Sequence, residues 1–295
     1  MTDTDYSLAK SVLQKAVRRG SIDALGRASA LIQQQPGGPS WLANRTRLIA
    51  IEESWPMAGD LYHGECGLEH PSPLLACTLH SKQKDAAGLG ELARALVAGD
   101  KTVLDLPSGG QIRLVAQGVE RPSDFWTWVK KVTPADRRSV VDVSHLVFRR
   151  SIHPGDQAMA IAAAYLASAG PLPTLREVGP SSTPFPYWVC ADKHTALGAQ
   201  VLDEVRSSLG MTYISVSNLI FFLEGAAVNV MEESPWWDQW VRYGIRKRCQ
   251  TSEQRAIEIV ESMKHLIMEL VGDQVENYLN LDLGDQPGVQ LGLFR

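Results

Sequence analysis

The residues best equipped for chemistry stand between Pro184 and Gly198, where the chain reads Pro-Phe-Pro-Tyr-Trp-Val-Cys-Ala-Asp-Lys-His-Thr-Ala-Leu-Gly. An aromatic loop there runs into an acid at the expected start of a helix. Asp192 in that position would accept backbone N–H bonds and gain from the positive helix end, and both effects favour the charged carboxylate. Two roles fit it. One is the plain N-cap. The other is a carboxylate held at the mouth of a cleft, with Lys193 and His194 beside it and Tyr187 and Trp188 able to stack on a flat ligand such as a base.

Other chemistries lack their motifs. The sequence contains no G-x-x-x-x-G-K-[ST] phosphate loop, no G-x-G-x-x-G after a strand, no H-E-x-x-H and no G-x-S-x-G. The histidines at 63, 70, 80, 145, 153, 194 and 265 share no metal-ligand spacing, and Cys66, Cys77, Cys190 and Cys249 form no C-x-x-C pair, so no metal, cofactor or disulfide framework is expected. Glu224 stands inside the apolar run Phe221 to Ala227 and is expected to meet a basic partner. Trp236, Trp237 and Trp240 lie at helical spacing and read as core.

The net charge of −4 and pI near 6.0 carry no global polyanion-binding signature, but a basic face can hide under a neutral total. Basic residues do cluster: Lys15, Arg18 and Arg19; Arg45 and Arg47; Lys130 and Lys131 with Arg137 and Arg138; Arg149 and Arg150; Arg246, Lys247 and Arg248. Each cluster reads either as a solvated helix face or as a set of phosphate contacts. With 44% hydrophobic and 21% charged residues the composition is that of an ordinary globular protein. No apolar run approaches the roughly 18 to 20 residues of a membrane span, and Met1 to Tyr6 is too polar for a signal peptide. A soluble, cytoplasmic protein with no membrane partner is the expectation.

The elements that must position these residues are mostly helical. Leu8 to Gln34 is apolar at 3–4 spacing and broken by Gly20, with Ser21 as a new N-cap, which predicts a helical hairpin. Pro36-Gly37-Gly38-Pro39 ends it, and Ser40 is expected to cap a helix from Trp41 to Trp55. Leu74 to His80 and Ala86 to Ala98 read as short helices flanking the polar Ser81-Lys82-Gln83-Lys84-Asp85. Thr102 to Leu106 and Gln111 to Val115, around Pro107-Ser108-Gly109-Gly110, read as a β-hairpin. Helical periodicity returns from Ser123 and runs to Tyr278, interrupted by the Pro-rich stretch Pro171 to Pro186. The fold class expected is mainly α, multi-helical and two-lobed, with one small β-hairpin insertion. The divisions are an N-terminal helical lobe at 1–100, the hairpin at 101–122 and a C-terminal helical domain at 123–295 that carries the site.

Two resemblances meet on these residues. "LQKAVRRG" at 13–20, "LANRTRLIAIEES" at 42–54, "HSKQKDAAGLGEL" at 80–92, "ADKHTALG" at 191–198 and "FFLEGA" at 221–226 resemble, in the same order, the helical collar of clamp-loader-class ATPases of the MgsA/RarA type. The ATPase module itself is absent from this sequence. That resemblance implies a non-enzymatic collar module that binds DNA or a replication-associated protein partner. "CADKHTALGAQVL" at 190–202 is similar to the catalytic-acid segment of helix-hairpin-helix DNA glycosylases, the archaeal oxoguanine type included, with Asp192 on the acid position. "LREVGPSS" at 175–182 is similar to a degenerate hairpin loop, thirteen residues before Asp192. No lysine stands between His153 and Gln157, the usual upstream nucleophile position, which implies a glycosylase without the covalent lyase step.

The leading expectation is therefore a DNA glycosylase that hydrolyses the N-glycosidic bond of a flipped, modified base in duplex DNA. Asp192 would be the catalytic acid, with Lys193 and His194 beside it. Tyr187, Trp188, His153 and Gln157 would form the base pocket. Arg149, Arg150, Lys130, Lys131, Arg18 and Arg19 would hold the DNA backbone. A narrower expectation is a phage-defence enzyme aimed at hypermodified cytosine.

Overall fold

The computed structural model describes residues 3–63, 72–181, 192–193, 196–226, 228 and 230–279, with the backbone alone at 3–5, 62–63, 72, 197, 221–226 and 271–279. The Glu224 side chain and its expected partner lie outside these descriptions. Helix α1 (Asp3–Arg19) and helix α2 (Ile22–Gln33) form the expected hairpin. Gly20 turns the chain at φ 72°, and the Ser21 side chain accepts the Ala24 N–H at 3.4 Å. Leu8, Val12, Leu13, Ala16 and Val17 recur at helical spacing and are buried with Leu25, Ala28 and Ile32.

Helix α3 (Gly38–Ser54) starts earlier than Ser40, which is a first-turn residue and not the cap. The N-cap position falls on Gly37, whose φ of 75° suits glycine, and Pro39 then sits in the first turn where its missing N–H leaves nothing unsatisfied. A 3-10 turn (Trp55–Gly59), the short helix α4 (Asp60–His63) and helix α5 (Ser72–Leu79) follow. Helix α6 (Asp85–Val97) begins after an extended stretch at 80–84.

The segment expected to form a β-hairpin is helical. A 3-10 turn (Lys101–Asp105) leads into helix α7 (Gly109–Glu120). The alternation in Gln111 to Val115 is too short to fix a period. Ile112, Val115 and Ala116 are buried at helical spacing, while Leu114, which a strand would place beside Ile112, is 51% exposed. Among the described residues there is no sheet, only isolated bridges such as Ser54 with Gln83 and Lys82 with Met231.

Helix α8 (Pro122–Val132) and helix α9 (Arg138–Arg150) lead to helix α10 (Pro154–Ala169). Buried residues line almost the whole circumference of α10 from Ala158 to Ala167, so it is a central helix. It packs on α6, α7 and α9. A Cβ on Gly90 of α6 would stand 2.6 Å from the Met159 Cα, so this crossing requires glycine. Helix α11 (Ala196–Leu209), helix α12 (Tyr213–Ala226), helix α13 (Pro235–Gly244), a π-helical turn (Ile245–Cys249) and helix α14 (Glu253–Leu279) complete the described chain. Trp237 and Trp240 are buried as expected, and one continuous apolar core joins Leu8 of α1 to Ile267 of α14. No described helix is long and apolar enough to cross a membrane.

Candidate functional site

Helix α1 supplies one wall of the site. Its buried apolar face leaves Ser7, Lys10, Ser11, Gln14, Lys15 and Arg18 along an adjoining face, at the 3–4 spacing that aligns side chains on a helix. These residues line a cleft of about 580 Å³, with Trp41, Arg45 and Glu52 from α3, His153 and Asp156 from the α9–α10 junction, and Asp192 and Lys193 from the segment before α11. That volume lies within the roughly 300–1,000 Å³ of small-ligand sites.

Asp192 faces this cleft. Its Oδ2 accepts a hydrogen bond from the Ser11 hydroxyl at 2.9 Å and lies 3.6 Å from the Lys15 ammonium. Lys15 in turn donates to the Ser11 oxygen at 2.8 Å, closing a Lys–Ser–Asp triangle. The Asp192 side chain keeps 24% of its surface exposed while it holds these partners. The described part of helix α11 starts at Ala196, and Asp192 and Lys193 stand before it. The Asp192 backbone packs on the first turn of α11. A Cβ on Gly198 would stand 2.0 Å from the Asp192 carbonyl oxygen, so only glycine permits the approach.

Cations converge on the same space. Lys10 lies 3.7 Å from the Tyr6 ring centroid and 5.1 Å from that of Trp41, and burial lowers its pKa. Arg45 donates to Gln14 Oε1 at 2.8 Å, which fixes its guanidinium at the rim. A second cavity of about 260 Å³ shares Trp41, Arg45, His153 and Asp156 with the first and extends to Arg47 and Arg150. The two share one wall and form a groove that carries cations along its length together with the carboxylates of Glu52, Asp156 and Asp192.

Beneath the cleft lies a buried charge network that sequence reasoning missed. The Glu53 side chain is fully buried. Its Oε1 accepts from Arg18 Nη2 at 2.6 Å and Nε at 2.9 Å, and its Oε2 accepts from Lys84 Nζ at 2.8 Å. Burial alone would push the Glu53 carboxyl up, but the Arg18 and Lys84 charges and their hydrogen bonds outweigh it and hold it at about 2. Lys84 also lies 4.6 Å from the Trp237 ring centroid. The network depends on residues 80–84, read as a polar connection and in fact enclosed. Ser81, Lys82, Gln83 and Lys84 are at most 1% exposed. Their backbone is satisfied on both sides, by bonds of Ser81 N to Arg176 O, Lys82 N to Val230 O and Gln83 N to Glu53 O at 2.8–2.9 Å. Lys82 Nζ donates to the carbonyls of Cys77 at 2.7 Å and of His80, capping the end of α5, and burial lowers its pKa to about 8.

The other expected site residues divide. Lys193 is exposed at the cleft and His153 lines both cavities. Gln157, expected in a base pocket, has its amide engaged by the α9–α10 turn, donating to Ser151 O at 2.9 Å. Arg150 and Arg149 are exposed at the end of α9, and Arg150 reaches Asn44 Oδ1 at 2.9 Å. Lys130 and Lys131 are exposed on α8. Arg18, expected on the DNA backbone, is buried and committed to Glu53 and Glu52, a structural use of its charge. Arg19 is half-buried. Tyr187, Trp188 and His194 lie outside the described residues. Sequence reasoning grouped Lys15 and Arg45 with basic clusters, but only the fold brings them to Asp192. Among the described residues no group of three His, Cys, Asp or Glu side chains is arranged to hold a metal ion.

Comparison with known protein families, with curated proteins and with solved structures finds no significant match to this chain.

Proposed function

We propose that the protein binds DNA along this cationic groove and hydrolyses the N-glycosidic bond of a nucleotide flipped into the 580 Å³ cleft. The observation that carries the reading is the half-buried Asp192 carboxylate, which lines a cleft where Lys10, Lys15, Arg45 and Lys193 outnumber Asp192, Glu52 and Asp156. Loss of a base builds positive, oxocarbenium-like charge on the sugar. A fixed carboxylate beside it stabilises that charge and orients water for attack at the anomeric carbon. The Lys15–Ser11 clamp fixes the direction of Asp192 before a substrate arrives. Arg45, Arg47, Arg150 and Lys193 neutralise phosphates on either side, and Trp41 and His153, which line both cavities, offer flat surfaces. Incubation of the purified protein with modified and unmodified duplexes, followed by alkali treatment, tests the reading. Strand breaks at modified positions support it, and intact strands on every duplex count against it.

The collar reading rests on a separate observation. Arg18, Glu53 and Lys84 each come from one of three segments that resemble the clamp-loader collar, and they meet in one buried network. Those segments thus hold the fold together, which suits a module shared with collars. Under this reading the protein binds DNA or a replication protein and leaves strands intact under alkali.

A further inference from the structure

The turn between α9 and α10 displays an isoleucine in a way the fold does not require. Ile152 is 86% exposed, more than any other large hydrophobic residue among those described. The turn that carries it is firmly built. Ser151 donates to Asp156 Oδ2 at 2.8 Å, the His153 N–H donates to Ser151 Oγ at 3.2 Å, and Gln157 binds the Ser151 carbonyl. A stiff, β-branched apolar side chain is thus held in water on a braced turn, and it gains nothing there for the stability of the free protein.

Its surroundings give the display a purpose. Ile152 lines the smaller cavity together with Arg45, Arg47 and Arg150, and the adjoining His153 opens onto the main cleft. Cations that grip phosphates therefore flank an apolar projection beside the space in which Asp192 waits. Proteins that extrude or kink a base step insert an apolar side chain between the bases, replacing the lost stacking contact while basic residues hold the backbone. Ile214, 70% exposed at the start of α12, lies apart from the residues lining either cavity.

We infer that Ile152 is an intercalating wedge that enters duplex DNA and fills the gap left by the nucleotide drawn into the Asp192 cleft, an inference that rests on the DNA-binding reading of the groove. It acts as a positioning residue, since it touches neighbouring bases and not the reacting bond. The test uses a duplex with 2-aminopurine at a central mismatch, whose fluorescence rises on unstacking, with binding followed separately by anisotropy of an end label. The wild-type protein is expected to bind and to raise the 2-aminopurine signal. Ile152→Ala is expected to bind within about threefold of wild type, because phosphate contacts dominate affinity. Its fluorescence rise should fall by roughly tenfold, the loss of one apolar filling contact, and Ile152→Leu should restore it. A rise of equal size in Ile152→Ala, or no rise when the wild type binds, would overturn the wedge while leaving DNA binding intact. Failure of the wild type to bind duplex DNA would overturn the groove reading and the wedge with it.

Discussion

Replacing Glu53 by Gln probes the network under the cleft with almost no change of shape. In the native protein each Glu53 oxygen holds a cation, and both the Glu53 and the Lys84 side chains are fully buried. Glutamine leaves two buried cations facing an amide. Breaking a buried ion pair by neutralising one partner costs about 3–5 kcal/mol, out of a total stability of about 5–15 kcal/mol. Proton linkage gives a second measure of the same quantity. Holding the Glu53 carboxyl at about 2 against its ordinary 4.5 ties about 3 kcal/mol of stability to its ionisation. Because the folded pKa is the lower one, that stability is present in full above pH 4.5 and drains away as pH falls toward 2. Urea unfolding followed by circular dichroism should therefore show Glu53→Gln destabilised by about 3–5 kcal/mol at pH 7, with the difference from wild type narrowing below pH 4.5. A triple variant, Arg18→Met with Glu53→Leu and Lys84→Met, should recover most of the loss, because an apolar set of similar volume removes the buried charges altogether. A loss under about 1 kcal/mol in Glu53→Gln, the value of an exposed pair, would mean that the buried network does not hold the charge as described.

Three further outcomes follow from other parts of the structure. Gly198→Ala should displace Asp192, because the new Cβ would meet its backbone at 2.0 Å; the expected cost is about 1–3 kcal/mol of stability in urea unfolding, and an unchanged midpoint would show that the approach can relax. DNA affinity should fall steeply with salt, and Arg45→Ala should lessen the slope of log K against log salt by about 0.9, one phosphate contact; a flat salt dependence in titrations would count against the groove. Burial raises the Asp85 carboxyl to about 6 against bonds from Gln83 and the Trp236 N–H. Since the folded pKa is the higher one, this group adds stability as pH falls from about 6 toward 3.8, and a carbon-13 carboxyl titration with a midpoint near 4 would contradict it.

Helix positions were legible wherever apolar residues repeat over three turns or more. The α1–α2 hairpin, α10 and the tryptophan face of α13 all follow from spacing alone. Residues 102–115 misled because five-residue runs satisfy strand alternation and helical spacing equally, and the deciding contacts of Ile112 and Val115 are tertiary. The stretch Ser81 to Asp85 misled for a different reason. Its composition is that of a surface loop, yet Glu53, Arg176 and Val230 supply backbone partners from distant parts of the chain, and buried charges become tolerable once paired. The acid at Asp192 could be singled out by residue type, but its partners Ser11 and Lys15 lie some 180 positions away. No local pattern announces such a meeting. The same holds for Arg18, whose basic neighbours suggested phosphate binding and whose partner Glu53 stands on another helix.

If the Asp192 carboxylate acts on substrate in the cleft, as proposed, Asp192→Asn removes that action. Asparagine keeps the size and can still accept the Ser11 hydrogen bond, so the fold and DNA binding should persist. The negative charge alone is removed, and loss of one preorganised electrostatic contact slows chemistry by roughly 10² to 10³. Single-turnover formation of alkali-labile sites, measured on a modified duplex that the wild type cleaves, should fall by that factor while anisotropy shows unchanged binding. Equal rates for the two proteins would leave Asp192 a structural residue in a collar-like module.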